Sequence, residues 1–173
     1  MNPDTPGPAA WIAEPAGAAF DTAGWNARLA RLYAHWRKIH PAPGVLPGRQ
    51  HFSPFDLPEA LPSVWMLDVQ REPFRLKYRL IGTNMVRMIG GDYTGLWFDE
   101  ARPQLLKAWP GLERYRLMVD TGRATWRKGK PTLTVDPYWH LSENVMMPLA
   151  QDGRSVDMLL CASVFYGHDG KVL

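Results

Sequence analysis

Apolar residues recur at helical spacing across residues 24 to 40. Trp25, Leu29, Leu32, Trp36 and Ile39 follow steps of four, three, four and three, which places them along one face of a helix. Arg28, Arg31, Arg37 and Lys38 fall between them as the wet face, and Pro41 and Gly44 stop the helix. The stripe is narrow and keeps coiled-coil spacing, so it predicts either a cap on the chain's own domain or a seam between two copies. Pro41, Pro43, Pro47, Pro54, Pro58 and Pro62 then exclude long regular elements over 41 to 63. That stretch predicts an irregular wrap docked by Phe52, Phe55 and Leu57, with one short helical turn opening at Asp56-Leu57-Pro58-Glu59.

At Val64 the period changes to two. Val64 to Gln70 and Arg75 to Ile81 read as strands joined by a hairpin-sized connection, with Leu76, Tyr78 and Leu80 alternating against Arg75, Lys77 and Arg79. Gly82 and Thr83 break the second strand, and Thr83 is expected to cap a short helix running to Ile89. An aromatic turn at Leu96-Trp97-Phe98 precedes a second helix over 104 to 120. Its apolar face takes Leu105, Leu106, Trp109, Leu112, Tyr115, Leu117, Met118 and Val119, and Pro110 marks a break or a first turn. Residues 123 to 135 predict a strand with Trp126 and Leu133 inward and Arg127, Lys128 and Lys130 outward. His140 to Ala150 and Ser155 to Tyr166 flank Gln151-Asp152-Gly153-Arg154, a hairpin turn in which Gly153 supplies the positive φ. The last run carries apolar residues on both faces, which predicts a central strand.

Two hairpin-connected groups of strands with helices between them give an α+β architecture: a five-stranded antiparallel sheet with helices on one face and an N-terminal helical cap. The expected organisation is a flexible Pro/Ala-rich tail at 1–23, the helix and Pro-rich wrap at 24–63, the core at 64–167 and a C-terminal tail at 168–173. Trp11, Ile12 and Phe20 are the tail residues able to dock.

Charge and composition narrow the functional classes. Twenty Lys and Arg against 17 Asp and Glu leave +3, too mild a bias for a dedicated nucleic-acid binder. The basic cluster of Arg114, Arg116, Arg123, Arg127, Lys128 and Lys130 is diluted by Glu113 and Asp120 and is expected to be a solvated face. One cysteine, Cys161, excludes an internal disulfide framework and a Cys-rich zinc site, and its apolar run predicts an inert thiol. No apolar run is long enough for a membrane span and no secretory leader is evident, so a cytoplasmic protein is expected. No two of His35, His40, His51, His140 and His168 have metal-motif spacing. The glycines of Gly122 to Lys130 are wrongly spaced for a phosphate loop, and Pro131 stands where a metal-binding Ser or Thr belongs. No nucleophile elbow is present. The chain thus offers no catalytic residues and no metal ligands, and supports neither haem nor flavin.

Eight tryptophans and eight methionines remain as the unusual feature. Met and aromatic side chains border irregular spaces, and a few polar groups among them suit a small-molecule site. We therefore expect an apolar cavity between sheet and helices, bordered by Asn84, Met88, Trp97, Tyr115, Trp126, Met146 and Met158. Asn84 and Tyr115 would each offer a ligand one polar contact, and Asn144 lies close to them in the pattern. The competing expectation is an interlocked core without a void.

The sequence resembles a bacterial family of stand-alone PAS-like proteins, from about Trp25 to Tyr166. The resemblance rests on Pro47-Gly48-Arg49, Pro54-Phe55-Asp56-Leu57-Pro58, Trp65-Met66-Leu67-Asp68-Val69 and Phe74 to Thr83. It continues through Gly91-Asp92-Tyr93-Thr94-Gly95, Tyr115-Arg116, Thr121-Gly122-Arg123, Pro148 to Gly153 and Val156 to Leu160. Ala124 and the stretch Lys130 to Asn144 depart from the family pattern. The resemblance implies a PAS fold, often dimeric, that binds a small molecule or partner protein, and it supplies no catalytic residues. The expected function is a non-enzymatic sensor, homodimeric and signalling to a separate protein. Its ligand would be small and apolar or amphipathic, with no nucleic acid and no membrane involved. The alternatives are an interaction adaptor with a filled core and a cone-shaped α+β isomerase-type enzyme. A buried Asp or His facing the void would favour the enzyme.

Overall fold

A computed structural model describes residues 11–101, 103, 112–131 and 134–173. Six strands form one antiparallel sheet: β1 (Trp11–Ala13), β2 (Val64–Gln70), β3 (Arg75–Ile81), β4 (Thr125–Gly129), β5 (Trp139–Leu149) and β6 (Met158–Gly167). Their spatial order is β1-β4-β5-β6-β2-β3. The helices among the described residues are α1 (Ala27–Lys38), α2 (Thr83–Ile89), α3 (Phe98–Ala101) and α4 (Leu112–Thr121). The α+β class, the antiparallel sheet and the central place of β6 agree with the sequence reading, and the sixth strand is an addition.

Both faces of the sheet are covered, and two apolar clusters result. On one face α2, α3 and α4 bring Met85, Met88, Phe98, Tyr115 and Met118 against Trp65, Met146, Leu159 and Cys161. On the other, α1 lays Leu29, Leu32, Tyr33 and Trp36 over Val145, Met147, Leu149, Leu160 and Val164. Asn26 caps α1 by accepting from the Arg28 amide at 3.0 Å. Leu29 and Leu32 are fully buried and Trp36 nearly so, while Trp25 and Ile39 are partly buried at the ends of the stripe. The stripe is spent on the chain's own sheet, the first of the two arrangements its spacing predicts. Trp36 also donates from Nε1 to the Pro148 carbonyl at 3.0 Å, fixing the helix to the end of β5.

The Pro-rich wrap folds as three 3-10 turns, Arg49–His51, Pro54–Asp56 and Pro58–Ser63. Phe52 docks, but Phe55 remains 89% exposed, contrary to expectation. Of the tail expected over residues 1–23, residues 1–10 lie outside the described residues, and from Trp11 on the segment is packed against the fold. Trp11 to Ala13 pair with β4, and Phe20 packs against Trp25 and Tyr33 at ring distances of 5.3 and 5.5 Å. β4 offers an open edge, and this short Pro-flanked segment occupies it. The C-terminal tail likewise folds back, with Leu173 donating to the Phe165 carbonyl at 3.0 Å. Thr83 is the first residue of α2; Gly82 stands at the cap position, and Gly90 ends the helix at φ +81°. Residues 105, 106, 109, 110 and 133 lie outside the described residues.

Gly153 has φ +79°, as the turn chemistry predicts, and a Cβ there would meet Val45 Cγ1 at 2.6 Å. Gly153→Val is expected to lower stability by about 1–3 kcal/mol, through positive-φ strain alone. Trp36→Ala is expected to cost about 3–5 kcal/mol for the buried ring it removes. Urea denaturation reads both, and an unchanged midpoint for Trp36→Ala would mean that α1 does not cover the sheet.

Candidate functional site

Side chains alternate across β4, β5 and β6, so each strand contributes to two different interiors. Thr125 and Arg127 of β4, Ser142, Asn144 and Met146 of β5, and Ser163 of β6 share the face beneath α2 and α4. Arg127 sits opposite Asn144, and Asn144 opposite Ser163, so the three form one row across the sheet. Between this row and the helices lies a cavity of about 40 Å³. Arg127, Ser142, Asn144, Met146, Ser163 and Phe165 line its sheet side; Trp65 of β2, Met85 of α2 and Arg114 and Tyr115 of α4 complete the lining. By the same measure one water takes about 10–15 Å³, so the space suits a group of a few heavy atoms.

Two guanidinium groups are buried here, Arg114 at 4% exposure and Arg127 at 8%. Arg114 donates from Nε to Thr125 Oγ1 and from Nη1 to Asn144 Oδ1, both at 2.8 Å. Arg127 donates to Ser142 Oγ at 3.4 Å and to the Lys130 carbonyl at 2.5 Å. Trp65 donates from Nε1 to Ser163 Oγ at 3.1 Å. These partners are neutral, and the described lining contains no Asp, Glu or His. Burial lowers the Arg114 guanidinium to about 10, and Arg127 adds a smaller push in the same direction. Burial also lowers Arg127 and raises the Tyr115 hydroxyl well above its ordinary value. The Cys161 thiol is raised by burial too, in keeping with an inert core residue.

The opposite face of the same strands holds the reverse charge. Glu143 of β5 is fully buried. Its Oε1 accepts from the Asn26 amide at 2.8 Å and from Trp126 Nε1 at 3.1 Å, and its Oε2 from the Tyr166 hydroxyl at 2.8 Å. Lys128 Nζ pairs with it at 3.3 Å. Trp126 stacks on Trp25 at 5.2 Å between rings. Glu143 thus anchors the start of the α1 cap. Burial, aided by Glu143 and opposed by the Asn26 side chain, brings the Tyr166 hydroxyl up to about 12, burial being the largest influence.

Of the seven residues expected around a cavity, the structure brings Tyr115 and Met146 to it. Met88 is buried in the adjoining core. Asn84 instead donates to Ser63 Oγ at 3.2 Å. Trp97 lies at the β3 edge beneath Arg75, whose Cζ is 4.3 Å from the ring centre. Trp126 and Met158 pack on the α1 face, which reverses the phase expected for β4 and makes Arg127 inward. The expectation of a solvated basic face is overturned for Arg114 and Arg127 alike. Position gave a signal for Arg114 that residue type obscured: it stands four residues before Met118, on the buried side of the helix.

Residues 26–110 match the family model described as a PAS domain. A solved structure described as "Structure of an RNA-binding Light-Oxygen-Voltage Receptor" is similar at 15% identity, over 91% of this chain and 39% of that chain, with a TM-score of 0.44. No curated protein matches the chain. No helix among the described residues is long and apolar enough to cross a membrane, and no cluster of three or more metal-ligating side chains is found among them.

Glu143→Gln keeps the shape of the anchor but sets an NH₂ group against donors. It is expected to lower stability by about 1–3 kcal/mol. It should also speed proteolysis near the α1 start. Wild-type values in both measurements would show that Glu143 does not hold the cap.

Proposed function

We propose that the chain is a non-enzymatic sensor, a reading supported by the match of residues 26–110 to the PAS-domain family model. A small molecule occupies the cavity between the sheet and helices α2 and α4. Its presence is relayed through β4 and β5 to the N-terminal cap, and a separate protein reads the altered cap. The observation that carries this reading is the pairing of adjacent residues across one sheet. Asn144 faces the cavity and Glu143 holds the cap; Arg127 faces the cavity and Trp126 and Lys128 face the cap. A shift of either strand acts on both interiors at once, because a packed core transmits strain.

The cavity itself favours a sensor over an adaptor with a filled core. The lack of carboxylate and imidazole in its described lining favours a sensor over an isomerase-type enzyme, which needs an acid–base group at the void. Ligand occupancy shifts the cap only through unequal affinity for its docked and altered states.

Amide NMR titration of the full chain with acetamide, acetone and acetate tests the reading. The expected result is perturbation at Asn144, Met146 and Ser163 together with the Asn26 amide and the Trp126 indole. Met146→Trp, which fills the cavity, should remove the response at a stability cost of about 1–3 kcal/mol. Failure of every probe to perturb the cavity residues would favour the adaptor.

A further inference from the structure

Arg114 presents a charge that the described residues leave unbalanced. Its Nε and Nη1 are taken by a hydroxyl and an amide oxygen, both neutral. Its Nη2 is buried and has no hydrogen-bond partner among the described residues. No ion pair joins Arg114 to a carboxylate among the described residues, and Glu143, the carboxylate beside Asn144 in sequence, points to the other face and is held there by Lys128. Outside the described residues, 102, 104–111 and 132–133 contain no Asp or Glu, and residues 1–10 contain one, Asp4. The neighbouring Arg127 adds a second buried cation. A guanidinium taken out of water needs an opposite charge or a complete set of acceptors, and Arg114 has neither among these residues.

We propose that the cavity is a receptor for a short monocarboxylate of acetate size. The proposal rests on the sensor reading above and names the ligand's chemistry. The planar guanidinium matches a carboxylate, with Arg114 Nη2 as the open donor. The apolar end of the ligand fits against Trp65, Met85, Met146 and Phe165, which share the lining. The cavity of about 40 Å³ limits the class to a few heavy atoms, with the flexible methionines taking up small differences. Longer acids and dicarboxylates are excluded by size, and a sulfate-sized tetrahedral anion lacks the apolar end that the methionines and aromatics would cover.

The test compares acetate, its neutral isostere acetamide, and chloride at equal ionic strength, by amide NMR and by melting midpoint on the full chain. Acetate should bind at least about tenfold more tightly than acetamide, since a charge-assisted hydrogen bond replaces a neutral one. Chloride should not reproduce the pattern at Met146 and Phe165. Arg114→Met should abolish the acetate response. Should that variant not fold, Asn144→Asp decides the matter, because it sets a carboxylate beside Nη1, where Asn144 Oδ1 now lies at 2.8 Å. It is expected to raise the melting midpoint and remove acetate binding. Equal binding of acetate and acetamide would overturn the carboxylate assignment while the cavity reading stands. Chloride matching acetate would assign the site to inorganic anions and overturn it too. No response to any probe would remove both the assignment and the sensor reading. Retained acetate binding in Asn144→Asp would show that Arg114 is not the anchor.

Discussion

β5 lies between β4 and β6 and is covered on both faces from Ser142 onward, so the polar side chains of Ser142, Glu143 and Asn144 have to be matched inside the protein. That constraint organises the rest. Glu143, on the α1 face, gathers the Asn26 amide, the Trp126 indole, the Tyr166 hydroxyl and the Lys128 ammonium. Asn144, the next residue, faces the other way and takes the guanidinium of Arg114. A buried carboxylate with a cation partner thus stands back to back with the buried Arg114 guanidinium, which no carboxylate among the described residues pairs. The imbalance on one face is what an anionic ligand would correct.

The two faces also differ in how they are packed. The α1 face is closed by large side chains, Leu29, Leu32 and Trp36, and gains from their complete burial. The α2 and α4 face gives up part of that packing around Ser142, Asn144 and Ser163, where short polar side chains leave space. Loss of close packing and burial of charge both cost stability, and a protein retains them most readily where function needs them.

Much of the fold was legible in the residues. The strands Val64–Gln70 and Arg75–Ile81 follow from their period of two and the breakers around them, and Gly153 takes the positive φ its turn requires. The α1 stripe was legible as a helix face, although only the structure showed that the chain's own sheet covers it. The cavity was harder to place. Alternation assigns one inward and one outward face to a strand, and that logic fails when both faces are inward. Alternation places Trp126 inward, and it is, but towards α1; the same alternation places Arg127 outward, and it is buried on the cavity side. Residue type alone predicts a solvated Arg114, since arginines ordinarily are. Its helical position beside Tyr115 and Met118 carried the opposite message.

The central claim is that the cavity and the N-terminal cap are coupled through β5. Hydrogen exchange at the Asn26 amide, which donates to Glu143, measures that coupling most directly. The account predicts that saturating acetate changes its exchange rate along with those of amides lining the cavity. Altered exchange at the cavity with an unchanged rate at Asn26 would contradict it.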